Sequence, residues 1–107
     1  MMKENETYKG TPMRLVLLTK DGCKNCTVFG AKLDEYGIYY EVQRIDSVEG
    51  QVIAFGCGLG NSGSIPLPQL LAIKDGTMLE PYIIIKNWYN SIPTKEEIEM
   101  ILNGKVN

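Results

Sequence analysis

An α/β fold is expected from this sequence. It should be a three-layer sandwich with a four-stranded mixed sheet and β-α-β-α-β-β-α order. Three observations predict it. Met13 to Thr19 is a near-continuous apolar run, too short for an ordinary helix, and reads as a buried central strand. From Lys24 the apolar residues change to helical spacing. Farther along, Asp75-Gly76 separates two strand-like runs, a hairpin signal. A strand–helix–strand opening sets its two strands parallel through a right-handed crossover, and the hairpin adds an antiparallel pair.

Each element follows in order. Lys20-Asp21-Gly22 reads as a turn after the first strand. Phe29, Leu33 and Tyr36 fall on one face of the first helix, and Gly37 sits where a left-handed cap belongs. Ile38 to Asp46 reads as the second strand. Asp46 offers an N-cap with Glu49 three residues on, and Val48, Val52 and Phe55 keep helical spacing to about Phe55. Glycines at 56, 58, 60 and 63 then make a loop. Gln69 to Lys74 is a third strand. Met78 to Lys86 is a fourth, and Pro81 inside it demands a sheet edge or a bulge. Thr94 and Glu97 form a capping box for the last helix, whose apolar face is Ile98, Ile101 and Leu102, and Gly104 ends it. Residues 1–12 read as a flexible leader and 13–107 as one domain.

The 107 residues bury roughly 60–70% of their unfolded surface, enough for a core without staples. Eleven Lys and Arg against thirteen Asp and Glu give a net charge of −2, which excludes nucleic-acid binding driven by bulk positive charge. No apolar run approaches a membrane span, and the polar N-terminus is no export signal, so a cytoplasmic protein with reduced thiols is expected. There is no histidine, which removes Cys-His and Ser-His pairs and every His-containing metal site.

Three cysteines in such a chain make a poor disulfide scaffold. Cys23-Lys24-Asn25-Cys26 is a C-x-x-C. Chance gives three cysteines this spacing about 5% of the time, so the location must carry the argument. The motif sits where the first strand ends and the first helix begins. Free backbone N–H groups and the positive end of the helix dipole there favour thiolate over thiol at Cys23. Lys20 and Lys24 act the same way, and Asp21 opposes them. Cys26, one turn on, is placed to resolve a mixed disulfide on Cys23.

With Ile65-Pro66-Leu67-Pro68-Gln69-Leu70 added, the sequence resembles the glutaredoxin branch of the thioredoxin superfamily. The resemblance spans roughly Met13 to Leu102 and rests on the C-x-x-C and the later Pro-Gln-Leu-Leu-Ala-Ile-Lys-Asp-Gly hairpin. It implies a thioredoxin-like fold and a dithiol–disulfide oxidoreductase with Cys23 as nucleophile and Cys26 as resolving residue. It also implies a cis proline before the third strand, best matched by Pro68 and second by Pro66. Leu67 would then offer its backbone to a substrate chain, with Lys20, Lys24 and Asn25 lining the approach. The implied partners are protein disulfides, ribonucleotide reductase among them. The implied reductant is glutathione or a thioredoxin-type reductase, with no bound cofactor, no metal, no membrane, and a monomeric state. The chain departs from the pattern in Lys24-Asn25, which is neither Gly-Pro nor Pro-Tyr. No Trp precedes Cys23. A glycine pair and acidic residue that help hold glutathione are not evident in Lys86-Asn87-Trp88-Tyr89-Asn90-Ser91.

Other readings stand beside this one. The cysteines could be part of a metal or Fe–S site at a dimer interface, because four ligands are needed and three cysteines without histidine leave a carboxylate or a second subunit to complete the set. The motif could also be vestigial in a thioredoxin-fold interaction module. Cys57 is expected to be a half-buried residue without a role. The glycine-rich loop fails both nucleotide fingerprints. Trp88 and Tyr89 are expected to pack the end of a strand.

Overall fold

The computed structural model describes residues 13–59, 65–89 and 91–104. The expected leader (1–12) and the loop glycines at 60 and 63 lie outside them. The elements are β1 (Arg14–Thr19), α1 (Lys24–Tyr36), β2 (Glu41–Arg44), α2 (Val48–Gly56), β3 (Gln69–Asp75), β4 (Tyr82–Tyr89) and α3 (Lys95–Leu102). They form the expected four-stranded mixed sheet, in the order β2-β1-β3-β4. β1 pairs parallel with β2 and antiparallel with β3, and β3 pairs antiparallel with β4.

Two cores flank the sheet. On one face Phe29 and Leu33 of α1 and Ile98 and Ile101 of α3 pack on Leu15, Leu17, Leu70 and Ala72. On the other, Ile53 and Ala54 of α2 pack on Val16, Leu18, Leu71 and Ile73. β1 and β3 are covered on both sides, which is why they read as unbroken apolar runs.

α1 ends as expected at Gly37, with φ 74°. The Gly37 N–H donates to the Asp34 carbonyl and the Ile38 N–H to the Leu33 carbonyl, a Schellman arrangement. Ile38 is thereby committed to the helix end, and pairing of β2 begins only at Glu41, not at Ile38. The capping box of α3 forms as expected. Leu102 stays partly exposed, so Ile98 and Ile101 alone anchor that helix.

Further expectations are corrected. The N-cap of α2 is Ser47, not Asp46: the Ser47 hydroxyl accepts the Gly50 N–H at 2.9 Å. Asp46 is occupied instead by the Arg44 guanidinium, at 2.8 and 3.1 Å. The apolar face of α2 is also shifted. Val48, Val52 and Phe55 face solvent, and Ile53 and Ala54 are buried. Gly50 selects that face, because a Cβ there would lie 1.9 Å from the Arg44 carbonyl oxygen.

The hairpin tip is Met78-Leu79, not Asp75-Gly76. The Gly76 N–H donates to the Pro81 carbonyl and the Thr77 N–H to the Glu80 carbonyl, both at 2.8 Å. Gly76 is there for close approach, since a Cβ would meet the Glu80 carbonyl oxygen at 1.9 Å. β4 accordingly runs Tyr82–Tyr89 and not Met78–Lys86, so Pro81 precedes the strand and does not lie inside it, although β4 is at the sheet edge. Trp88 is buried, whereas Tyr89 is half exposed.

Candidate functional site

The ends of all four strands bring the candidate residues together. Register pairs Leu18 with Gln69, Thr19 with Arg44, and Gln69 with Tyr89. The C-terminal end of β1, from which the chain turns into α1, therefore lies beside the N-terminal end of β3, which Pro68 precedes. The Leu67–Pro68 peptide bond is cis, at the first choice of the two prolines.

Cys23 is the N-cap of α1, with extended backbone (φ −89°, ψ 103°). Its Sγ accepts the Cys26 backbone N–H at 3.1 Å. A sulfur thus occupies the place that a serine or aspartate oxygen takes at most helix starts. Gly22, with φ 75°, makes the turn that leads into this cap. The two cysteines are disulfide-bonded, with Cα atoms 5.2 Å apart. Cys23 is partly exposed, while Cys26 is buried in the first turn of α1.

Charge around the pair is arranged by a residue that sequence reasoning missed. Arg44 Nη2 lies 2.9 Å from Asp21 Oδ2 and 2.8 Å from Asp46 Oδ2. The Asp46 carboxyl is held below its ordinary range by this guanidinium. Asp21, the one acid expected to oppose a thiolate at Cys23, is thereby countered by a cation. Lys20 and Lys24 are exposed and make no ion pair with another described residue. Asn25 is exposed on the first turn.

The proline loop has its own support. Gln69 is the sole buried polar or charged residue among those described, 3% exposed. Its Nε2 donates to the Pro66 carbonyl at 2.9 Å, and its Oε1 accepts from Asn87 Nδ2 at 2.8 Å. Both ends of the amide are satisfied, so the Pro66–Pro68 segment is tied to β3 and β4. Leu67 packs its side chain against the α2-side core.

An open groove of about 730 Å³ lies against the disulfide, between α1 and the face of β2. Val42 of β2 is 56% exposed beside α1, whereas Tyr40, just before β2, is partly buried against the α1-side core. The Tyr40 hydroxyl lies 2.9 Å from Asp34 Oδ1 and 3.1 Å from the Gly30 carbonyl and donates to them. Burial, and then the Asp34 carboxylate, push its pKa up.

Cys57 is half-buried on the opposite face, and burial pushes its thiol pKa up. It packs with the α2-side core, away from the α1 side of the sheet. The described residues bring no three His, Cys, Asp or Glu side chains into a metal-binding group.

No protein-family model matches the sequence, and no curated protein matches it. Solved structures do. One is a thioredoxin-2, described as a component of the malaria parasite protein secretion machinery. It aligns with a TM-score of 0.53 and 12% identity over 88% of this chain and 84% of that one. The fold is therefore thioredoxin-like, and it carries a C-x-x-C cysteine pair at the start of its first helix.

Proposed function

We propose that the chain is a dithiol–disulfide oxidoreductase of glutaredoxin-like type, with Cys23 as nucleophile and Cys26 as resolving residue. The observation that carries this reading is the Cys23 sulfur as helix N-cap, accepting the Cys26 N–H while partly open to solvent. The same N–H and the helix dipole stabilise a thiolate when the pair is reduced. The buried Cys26 is suited to act second, on a sulfur already covalently attached.

The cycle starts from the dithiol. Cys23 thiolate attacks one sulfur of a substrate disulfide, forms a new S–S bond and expels the other sulfur as a thiolate, which takes up a proton. Cys26 loses its proton and attacks the Cys23 sulfur. The substrate leaves as a second thiol, and Cys23–Cys26 is left oxidised. Two electrons have passed to the substrate, and a thiol reductant must return them. Glutathione and a thioredoxin-type reductase are the reductant classes that the sequence resemblance implies. Lys20, Lys24 and Asn25 line the approach, and the Leu67 backbone before Pro68 receives the substrate chain. The setting is the cytoplasm, with a monomeric protein, no bound cofactor, and ribonucleotide reductase among the client classes.

The test is insulin reduction by dithiothreitol, followed by turbidity, with wild type, Cys23→Ser and Cys26→Ser compared. Wild type should accelerate the reaction and Cys23→Ser should not. Cys26→Ser should accumulate a covalent mixed disulfide visible by mass. If Cys23→Ser traps the adduct and Cys26→Ser does not, the two roles are exchanged. A folded wild type that gives no acceleration sinks the reading.

A further inference from the structure

The groove beside the disulfide has two properties that the exchange chemistry alone does not require. It is long, and its two ends carry opposite charge. Its helical wall presents Lys24, Thr27, Ala31 and Asp34. These fall at i, i+3, i+7 and i+10, one face of α1. Its floor is the exposed Val42 of the edge strand β2, and at the far end Tyr40, just before β2, packs on the core and bonds to α1.

At the sulfur end Lys20 and Lys24 are exposed cations, and Asp21 is engaged by Arg44. At the far end Asp34 is an exposed carboxylate oriented by the Tyr40 hydroxyl at 2.9 Å. Ten residues of helix separate Lys24 from Asp34, a rise of about 15 Å. An extended peptide covers that length in about four to five residues.

We propose that this groove binds the segment flanking the substrate cysteine, and that it selects an acidic residue beside the cysteine and a basic residue four or five positions away. The client is therefore a peptide segment of defined charge order, laid extended along α1 with apolar contact to Val42. This rests on the exchange activity proposed above.

The experiment uses two cysteine peptides of identical composition, each as its neutral mixed disulfide with 2-mercaptoethanol. One carries Glu beside the cysteine and Lys five residues away. The other has those two residues exchanged. Each is made in both chain directions. Bis(2-hydroxyethyl) disulfide serves as an uncharged small substrate, and dithiothreitol supplies the electrons. The readout is the ratio of kcat/KM between the two peptides on one enzyme preparation, which cancels any general loss of activity.

Wild type should prefer the Glu-proximal peptide about three- to tenfold at low salt in at least one chain direction, falling towards parity at about 0.5 M salt. Asp34→Lys should lower that ratio about threefold or more. A wild-type ratio of one in both directions overturns the inference. So does a ratio that Asp34→Lys leaves unchanged, or turnover of the small disulfide with neither peptide used. Failure of wild type on the small disulfide as well would remove the exchange activity, and this inference with it.

Discussion

At the scale of single residues, the site is held by side chains that do no chemistry themselves. Gln69 is the clearest case. It is buried, it follows the cis proline, and its amide is bonded at both ends. Gln69→Leu keeps the volume but strands the Pro66 carbonyl and the Asn87 amide. The expected cost is about 1–3 kcal/mol in chemical denaturation. If the bond positions the substrate loop, KM for insulin should rise while kinetics on bis(2-hydroxyethyl) disulfide hold. An equal loss on both substrates would make Gln69 a purely structural residue. Cys23, Cys26 and Pro68 were legible because their chemistry is rare and their places in the chain are diagnostic. Gln69 and Arg44 were not. A glutamine at a strand start and an arginine at a strand end look like ordinary surface residues until the fold brings Asn87, Pro66, Asp21 and Asp46 to them.

At the scale of elements, sequence patterns located every helix and strand but misjudged which side of α2 is buried. Val48, Val52 and Phe55 make a regular apolar stripe, yet the helix is seated by Gly50 against the Arg44 carbonyl. A steric requirement at one glycine outranks a stripe of three apolar residues, because a Cβ at 1.9 Å cannot be accommodated and an exposed valine costs little. Opposite outcomes are therefore expected on one helix. Val48→Ser should change stability by no more than about 0.5 kcal/mol. Ile53→Ala, fully buried, should cost about 2–5 kcal/mol. Urea titrations of the two variants decide it, and a larger loss for Val48→Ser would restore the stripe as the packing face. The displaced hairpin tip has a similar origin. Asp75-Gly76 carries a turn-forming pair, but Gly76 serves the contact with Glu80, and the Thr77 hydroxyl closes the tip by accepting the Glu80 N–H at 3.1 Å.

At the scale of the whole molecule, stability and chemistry sit at opposite ends of the sheet. The cysteines and the proline loop lie where β1 ends and β3 begins. Where β1 begins, Arg14 Nε and Nη2 bind the Glu41 carboxylate at 2.8 and 2.9 Å, with Glu49 and Asp75 within 4 Å. The six residues of β1 separate the two by about 17 Å. The Arg14 bonds hold the Glu41 carboxyl below its ordinary value of 4.5, against the opposing effect of burial. The unfolded chain therefore takes up the Glu41 proton first as pH falls. The stabilisation is full above pH 4.5 and is lost as pH drops through the lower folded value. Glu41→Gln should cost about 1 kcal/mol at pH 7. The gap to wild type should close as pH falls below 4.5. Turnover of bis(2-hydroxyethyl) disulfide at pH 7 should be unchanged in the same variant, because the substitution lies on the α2 side of β2, at the far end from the sulfurs. A fall in turnover that tracks the loss of stability would mean that the two ends are coupled through β1, and that the sheet transmits strain to the helix start at Cys23.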